Sequence, residues 1–262
     1  MDIFSQGKQI ASTTKGVAVR IERLNKSFGD NHVLKDVTLD IRAGETFSII
    51  GPSGTGKSIL LRQIINLDRP DSGQIFINNE PVFEEGEQKP RSYRSSMVFQ
   101  SSALFNSLTV GDNVGLWLRE HRVFPEPRIL KIISEKLAVV GLEGKENLLT
   151  SELSGGMKKR VAIARSLAME PDLLLYDEPT AELDPITTDE LAETIVSLRE
   201  KSGNTTIIVT HDLNFALYLS DRIAMMHQGK IIEVGTPAEI RESENPIVQR
   251  FIGTITKGIN GR

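Results

Sequence analysis

The chain of 262 residues has a formal net charge of -4 and a sequence pI of about 5.7, so its charge argues against a nucleic-acid-binding protein. Hydrophobic residues make up 39% and charged residues 25% of the chain, which is typical of a globular protein and not of a disordered one. The lack of cysteine excludes disulfides and thiolate metal sites.

The pattern of apolar residues argues against a membrane-spanning chain. No uninterrupted apolar run approaches the roughly 20 residues that a membrane-spanning helix needs. Residues 1–16 are polar and have no apolar core of the kind found in a secretory signal, so we expect a polar leader there. We find no internal repeat and no low-complexity tract.

In chain order, strand patterns come first, a helical stretch follows, and alternation then resumes. The first part predicts strands at 17–24, 33–41, 45–50, 74–78 and 96–100, a helix at 57–67, and an acidic loop at 83–90. The middle part predicts helices at 110–120, 129–140 and 156–169. The last part predicts strands at 173–176 and 205–209, helices at 186–201 and 213–219, a hairpin at 222–234, and two short final helices.

Strands that alternate with helices predict an α/β fold with a mainly parallel central sheet. The antiparallel strands near the start predict a small side sheet. We expect one domain over residues 17–252, in which a helical insertion (101–168) separates two parts of the core (17–100 and 169–252). Residues 253–262 would then form a C-terminal tail.

The clearest motif is the G-x-x-x-x-G-K-S pattern of a phosphate-binding loop, which follows a predicted strand and opens a predicted helix. Glycines let backbone N–H groups approach phosphate oxygens, and the helix N-terminus adds positive potential. We expect Lys57 to bind the β- and γ-phosphates and the Ser58 hydroxyl to bind Mg²⁺. The predicted nucleotide-binding residues are Gly51, Pro52, Ser53, Gly54, Thr55, Gly56, Lys57, Ser58 and Ile59.

A second apolar strand, at residues 173–176, is followed by the carboxylates Asp177 and Glu178. We expect Asp177 to reach the Mg²⁺ ion and Glu178 to polarise the attacking water as a general base. Ligands in α/β sheets bind at the carboxyl ends of strands, so this motif and the phosphate loop belong to one site. A charged boundary between strand and loop is common and by itself does not indicate a functional site. The presence of the phosphate loop makes these two carboxylates candidates for catalysis.

Between these two motifs lies a short run that resembles the signature sequence of ABC ATPases, which usually ends in Gln: Leu153, Ser154, Gly155, Gly156 and Met157. The resemblance covers residues 17–251. It implies a P-loop NTPase fold, ATP hydrolysis with Mg²⁺, and a head-to-tail dimer in which each signature covers the ATP bound by the other copy. Because Met157 stands at the edge of the motif, we expect altered contacts there with ATP binding retained. Ser154 also suits the N-cap of the helix that follows.

The resemblance assigns further single positions. Phe28 matches the aromatic residue that stacks on adenine, and a core phenylalanine is the alternative reading of this position. Gln100 matches the glutamine that senses Mg²⁺ and joins the core to the helical insertion. His211 matches the switch histidine that contacts the γ-phosphate, and we expect it to be catalytic, since histidine can donate a hydrogen bond and orient water near neutral pH.

The loop that communicates between copies is matched by Leu183 and Asp184, although Ala181 and Glu182 replace the small residues that usually precede it. We expect the histidines outside any motif to lie on the surface: His32, His121 and His227. Because both Glu178 and a switch histidine are present, the resemblance implies a working ATPase.

The resemblance also implies two partners, a second copy of the chain and a separate integral-membrane permease, with the subunit on the cytoplasmic face of the cell membrane. The segment after Gln100 is the expected contact with the permease. Three of its apolar residues are candidates for that contact, with a buried helical core as the alternative for some of them: Leu104, Phe105 and Leu108.

Several short runs resemble the branch of the family that powers Mla/Mce-type lipid transport: 100–105, 119–121, 151–157, 184–187 and 246–253. They imply a phospholipid or related hydrophobic substrate and an Mce-domain protein as a further partner. Three alternatives stay open. A polar amino acid importer would favour Gln at position 157. A non-transport ABC ATPase acting on DNA or ribosomes usually has two ATP domains, a coiled coil or a basic patch. A small-molecule kinase would have no use for the signature.

Overall fold

The computed structural model of the protein describes residues 16–83 and 91–259, with side chains described up to Gly253. Nearly all of the predicted leader and of the predicted acidic loop at 83–90 lies outside these residues. Among the described residues, no helix combines the length and the apolar character that crossing a membrane requires.

The described elements follow the predicted alternation of strands and helices. The strands are β1 (Val19–Phe28), β2 (Asn31–Ile41), β3 (Thr46–Ile50), β4 (Ser72–Ile77), β5 (Glu80–Pro81), β6 (Ser95–Val98), β7 (Leu173–Asp177), β8 (Thr205–Thr210), β9 (Arg222–His227) and β10 (Lys230–Gly235). The helices are α1 (Lys57–Ile64), α2 (Val110–Glu120), α3 (Glu126–Val139), α4 (Gly155–Ala168), α5 (Pro185–Ser202), α6 (Leu213–Leu219), α7 (Pro237–Arg241) and α8 (Pro246–Ile259).

The side sheet is antiparallel, as predicted, with strand order β2-β1-β4-β5. Strand β1 extends four residues beyond the predicted end at Leu24. The alternation of apolar residues stops there, but the polar end of β1 still pairs with β2, since Ser27 lies opposite His32 and Phe28 opposite Asn31. This cross-strand pairing places Phe28 at the tip of the sheet, where its ring is exposed.

The central sheet has the order β10-β9-β3-β8-β7-β6, and all neighbours are parallel except β9 and β10. Strands β3, β7 and β8 are buried along their whole length, which agrees with their sequences of apolar residues, Ser and Thr that carry a charge only at Asp177. Because β3, β8, β7 and β6 are neighbours and run in one direction, the loops that follow them meet at one edge of the sheet. Every predicted catalytic and metal-binding residue follows or ends one of these four strands.

The helical stretch lies between β6 and β7 in the chain and consists of α2, α3 and α4. Its helices share one apolar cluster that includes Val114, Ile133 and Val161. The same cluster includes Tyr176 of β7 and Ile208 of β8, so the helices pack directly on the central sheet. This confirms the predicted fold class, an α/β core with an antiparallel side sheet and inserted helices.

Three helix predictions were wrong. Helix α3 begins at Glu126 and not at Ile129, because its first turn is polar and gives no apolar periodicity. Helix α1 ends at Ile64 and not at Leu67, because Asn66 adopts a left-handed conformation with φ of +64° that a helix cannot continue through. The last helix, α8, is 14 residues long rather than short, and it runs past Gly253 into the predicted tail. Val248 anchors α8, since it is fully buried in a cluster with Ile240 of α7.

Candidate functional site

The phosphate loop joins β3 to α1, and glycine is needed where it turns. Gly51 has φ of +150°, and a β-carbon there would collide with the carbonyl oxygen of Met226. Gly56 caps α1 with φ of +102°, in a region that L-amino acids avoid. The Thr55 hydroxyl donates to the Pro52 carbonyl at 3.0 Å and closes the turn. The loop therefore passes tightly from the strand to the N-terminus of the helix.

The ammonium of Lys57 lies inside this loop. It donates to the carbonyl oxygens of Gly51 at 2.9 Å and Pro52 at 3.1 Å, and lies 3.6 Å from Oε1 of Glu178. Burial lowers the pKa of Lys57, while the negative charge of Glu178 acts in the opposite direction. A phosphate group would be a stronger partner for this ammonium than neutral carbonyls are.

Ser58 and Asp177 bring two oxygen ligands together. The Ser58 hydroxyl donates to Oδ1 of Asp177 at 2.7 Å, across the gap between α1 and the end of β7. Burial raises the pKa of Asp177, and the hydrogen bond from Ser58 opposes that shift. The hydroxyl and carboxylate oxygens of this pair are ligands of the kind that Mg²⁺ takes.

The described residues contain no group of three or more His, Cys, Asp or Glu side chains that could hold a metal ion. Mg²⁺ is commonly bound through one or two carboxylates together with the phosphates of a nucleotide. Gln100 lines the same cavity as Ser58 and adds an amide oxygen. The residues present therefore fit a Mg²⁺ ion that binds together with a nucleotide.

Glu178 occupies an unusual backbone position directly after β7. Its φ is +46°, which is costly for a residue other than glycine. Its N–H donates to the carbonyl oxygen of Val209 at 2.8 Å, and its side chain is only 11% exposed. Oε2 accepts a hydrogen bond from the backbone N–H of His211 at 3.1 Å and lies 2.8 Å from its Nδ1. The carboxylate is thus held between His211 and Lys57.

A cavity of about 550 Å³ joins these side chains. Its lining residues come from the side sheet, the phosphate loop and the ends of the parallel strands: Phe28, Asn31, Val33, Ser53, Gly54, Gly56, Lys57, Ser58, Ile59, Gln100, Glu178 and His211. A volume of this order suits a bound small molecule. Phe28 is 51% exposed, so the core reading of this position is excluded. The ammonium of Lys26 lies over its ring, 5.3 Å from the centroid.

Sequence analysis missed two lining residues, Asn31 and Val33. They lie at the start of β2, opposite or beside Phe28 across the turn. In the sequence, these two residues are distinguished only by lying a few positions after Phe28. That spacing indicates a shared site only once the pairing of β1 with β2 is known.

The signature run lies outside this cavity. Ser154 caps α4 as predicted, since its Oγ accepts from the N–H of Met157 at 3.3 Å. Gly155 is exposed, Leu153 is buried, and Met157 packs against the helical cluster. None of the signature residues, all of which are described, lines the cavity over the phosphate loop. Ser154 and Gly155 therefore form an exposed helix N-terminus outside the cavity over the phosphate loop of their own chain.

The predicted communication loop precedes α5. Leu183 is half-buried, and Asp184 is exposed. Asp184 caps α5 by accepting from the N–H of Thr187 at 3.0 Å. It also accepts from the Thr187 hydroxyl at 2.5 Å, and this bond, followed by the one from the N–H, lowers the pKa of Asp184. The structure thus gives Asp184 a local structural role besides the one implied by the family.

The expected surface histidines divide into two kinds. His32 and His121 are exposed as predicted. The prediction for His227 was wrong, because this residue ends β9 beside the phosphate loop, is half-buried, and has its Nδ1 enclosed. It lines a separate cavity that also contacts Ser53 and Gly54.

The phosphate loop at the edge of a parallel sheet, with two carboxylates on the neighbouring strand, defines a P-loop nucleoside triphosphatase. A family model described as "ABC transporter" matches residues 34–181. The chain belongs to this family, which confirms the class of protein predicted from the signature. It is the ATP-binding subunit of an ABC transporter, an enzyme that hydrolyses ATP.

Curated relatives resemble nearly the whole chain. "Probable ribonucleotide transport ATP-binding protein mkl" of Mycobacterium leprae is 39% identical over 239 residues, which is 90% of this chain and 69% of that protein. "Protein TRIGALACTOSYLDIACYLGLYCEROL 3, chloroplastic" of Arabidopsis thaliana is 42% identical over 252 residues, with coverages of 90% and 73%. "Sulfate/thiosulfate import ATP-binding protein CysA" of Mesorhizobium japonicum is 41% identical over 239 residues, with coverages of 90% and 68%.

A solved structure shows how such a cassette assembles. A dimeric ATP-binding cassette in a post-hydrolysis state, bound to ADP and phosphate, superposes with a TM-score of 0.75 and 34% identity. The match covers 84% of this chain and 98% of that one. A match of this extent confirms the fold.

Proposed function

We propose that this ATPase powers the movement of phospholipids or related hydrophobic molecules between membranes, through a separate permease and an Mce-domain protein. The observation that carries the proposal is the set of runs similar to Mla/Mce-type ATPases, which includes residues 100–105 and 151–157. The Arabidopsis relative, whose name is that of a galactolipid, supports a lipid substrate. The subunit would lie on the cytoplasmic face of the cell membrane.

A second candidate is the import of a small polar solute. The CysA relative is nearly as similar to this chain and is named for sulfate and thiosulfate. Met157, where Gln is usual, speaks against a polar amino acid importer. The two candidates share one ATPase chemistry, and they differ in the partners and the molecule that would be bound.

For that chemistry we assign each side chain a role. The phosphate loop with Lys57 binds the β- and γ-phosphates, and Phe28 stacks on adenine. Ser58, Asp177 and Gln100 would hold Mg²⁺, which neutralises charge that develops on the phosphates. The support for these roles is the 2.7 Å contact between Ser58 and Asp177 and the cavity that Ser58 and Gln100 both line.

Glu178 orients and deprotonates the attacking water, and His211 lies beside the γ-phosphate. The support for this pair is their contact at 2.8 Å. In the hydrolysis step the water oxygen bonds to the γ-phosphorus as the bond to the bridging oxygen breaks, so ADP leaves and Glu178 receives a water proton.

The exposed signature supports a composite site shared by two copies. Ser154 and Gly155 form an open helix N-terminus, a favourable position for phosphate, yet they lie away from their own phosphate loop. Binding of ATP between two copies would favour a closed dimer, and loss of the γ-phosphate would release it. This cycle converts hydrolysis into motion of the inserted helices.

Replacing Ser154 by Arg tests the composite site. We expect ATP hydrolysis to fall at least about 100-fold, because a bulky cation blocks the partner's nucleotide and removes a cap. The affinity of the monomer for ATP should stay unchanged. Ser134→Arg, on the exposed face of α3, is the control. Weaker binding of ATP to the monomer in the Ser154 variant would contradict a composite site.

Phe105 is the residue that we propose docks into the permease. Its ring is 54% exposed, and its backbone is fixed by Asn113, a fully buried residue whose amide bonds both N–H and C=O of Phe105. The other two candidates fit less well, since Leu104 and Leu108 are half-buried and Leu104 packs on the helical cluster. A rigid loop thus presents one aromatic anchor, as is common at interfaces.

Replacing Phe105 by Ala should weaken assembly with the permease by about 2 kcal/mol, or roughly 30-fold, because an interface anchor is lost. The ATPase activity of the isolated subunit should not change. Co-purification and subunit ATPase activity measure the two effects. Leu67→Ala, an equally exposed apolar residue outside the helical insertion, is the control. Unchanged assembly would remove Phe105 from the interface.

Purification from native membranes in mild detergent, followed by mass spectrometry, tests the proposed function itself. A permease together with an Mce-domain protein and bound phospholipid would support lipid transport. A permease with a soluble solute-binding protein would establish the small-solute alternative, and the absence of any membrane partner would contradict both.

A further inference from the structure

Lys159 is a buried cation that the assigned chemistry does not use. It lies in α4, two residues after the signature, and the residue is only 5% exposed. Its Nζ donates to the backbone carbonyl of Gln100, the residue that we assign to Mg²⁺. One contact therefore links the signature helix to the loop that bears the proposed metal ligand.

A buried ammonium is expensive unless carboxylates or hydrogen bonds compensate it. Burial lowers the pKa of Lys159, and three nearby carboxylates act in the opposite direction: Glu182, Asp177 and Glu178. Two of these carboxylates belong to the catalytic edge of the sheet, and the third belongs to the loop before α5. The Lys159 ammonium therefore lies near the charges of the site, and it contacts the Gln100 loop from the side of the inserted helices.

A second cation on α4 secures the same loop. Arg165 donates to the carbonyl oxygens of Ala103 at 2.6 Å and Ser102 at 2.9 Å. Ser102 and Ala103 both have positive φ, +63° and +46°, a conformation that costs energy at residues other than glycine. The charged hydrogen bonds of Arg165 offset that cost. Together, Lys159 and Arg165 fasten residues 100–103 to α4 at three carbonyl oxygens.

We infer that Lys159 is a positioning residue for ATP hydrolysis, which holds the backbone of Gln100 so that its amide side chain faces Ser58 and Asp177. The inference rests on the proposed role of Gln100. Because the signature forms the N-terminus of α4, a movement of α4 on contact with the partner's ATP would be passed to Gln100 in the same chain. Lys159 thus connects the two composite sites of the dimer.

Replacing Lys159 by Met removes the donor and keeps the length and packing of the side chain. We expect kcat to fall, and the Mg²⁺ concentration for half-maximal activity to rise, each by about 10-fold, as for residues that orient metal ligands. A readout independent of turnover is ATP binding by Glu178→Gln protein. In the Glu178→Gln protein, Mg²⁺ should increase the affinity for ATP less when Lys159 is replaced by Met. The affinity for ATP in EDTA should stay unchanged. Lys131→Met, on the exposed face of α3, is the matched control.

A double-mutant cycle separates positioning from a general structural effect. In the Gln100→Ala background, Lys159→Met should cause no further fall in kcat, because the side chain that Lys159 positions is absent. Lys159→Gln keeps a hydrogen-bond donor, so its kcat should lie between those of wild type and Lys159→Met. This variant also tests the role of Lys159 if the Met variant folds poorly.

Losses in kcat that multiply in the double variant, or an unchanged Mg²⁺ dependence in Lys159→Met, would overturn the role of Lys159. A Gln100→Ala protein with normal Mg²⁺ dependence would instead overturn the proposed role of Gln100. The two failures are therefore distinguishable.

Discussion

The Glu178→Gln protein is expected to bind ATP normally and to hydrolyse it about 10²- to 10⁴-fold more slowly than wild type, the range for loss of a general base. The amide keeps the size of the carboxylate and can still accept the hydrogen bond from the backbone N–H of His211. It cannot take a proton from water. Because ATP then persists between two copies, the variant should accumulate as a dimer in ATP and Mg²⁺.

The geometry around Glu178 explains why this single side chain should have so large an effect. Its carboxylate lies 3.6 Å from Lys57 Nζ and 2.8 Å from His211 Nδ1, at the carboxyl end of a fully buried strand. The backbone at this residue is held at a positive φ, and the contacts of the side chain with His211 and Lys57 fix the position of the carboxylate.

Steady-state kinetics and size-exclusion chromatography with light scattering measure the two effects on one preparation. Glu200→Gln, which changes an exposed glutamate on α5, should match wild type in both assays. Unchanged turnover in the Glu178 variant would remove this residue as the base, whatever its oligomeric state.

Lys57→Ala should nearly abolish nucleotide binding. A charged hydrogen bond to phosphate contributes about 3 kcal/mol, so the Kd for ATP should rise roughly 100-fold. The substitution also leaves the carboxylate of Glu178 without its nearest cation, at 3.6 Å, which would further repel phosphate. ATP hydrolysis should then be lost through binding and not only through kcat.

Isothermal titration calorimetry with ATP and Mg²⁺ measures this change directly. Lys201→Ala, at an exposed position near the end of α5, should bind ATP as wild type does. A thermal unfolding curve similar to that of wild type would show that the variant is folded. Normal ATP affinity in the folded Lys57 variant would contradict the assignment of the phosphate loop.

Much of the fold follows from local patterns in the sequence. Helices α2 and α6 have the predicted bounds, because apolar residues recur there at helical spacing and a capping side chain precedes each. The strand before the phosphate loop was also predicted, since a buried parallel strand is a continuous apolar run bounded by turns. Local signals suffice where neighbouring residues determine the conformation.

The features that sequence analysis missed depend on contacts between distant residues. The polar end of β1 is a strand only because β2 pairs with it, and the burial of His227 depends on the fold beside the phosphate loop. The contact between Lys159 and the Gln100 carbonyl joins residues 59 positions apart. A lysine after a signature sequence looks like a solvated charge until its burial is known.

In the candidate site, too, local motifs were predictable from the sequence, whereas contacts between distant residues were not. The phosphate loop and the carboxylates after β7 are contiguous in sequence, and their chemistry was evident from residue types and spacing. Their convergence with Gln100 and His211 follows from the strand order β3-β8-β7-β6, which a single sequence does not specify.

The most direct test of the composite ATP site is an experimental structure of the Glu178→Gln protein with ATP and Mg²⁺. We expect a head-to-tail dimer, in which each ATP lies between the phosphate loop of one copy and the signature of the other, with Ser154 and Gly155 of that copy at the γ-phosphate. ATP bound by one copy alone, with both signatures facing solvent, would contradict the account.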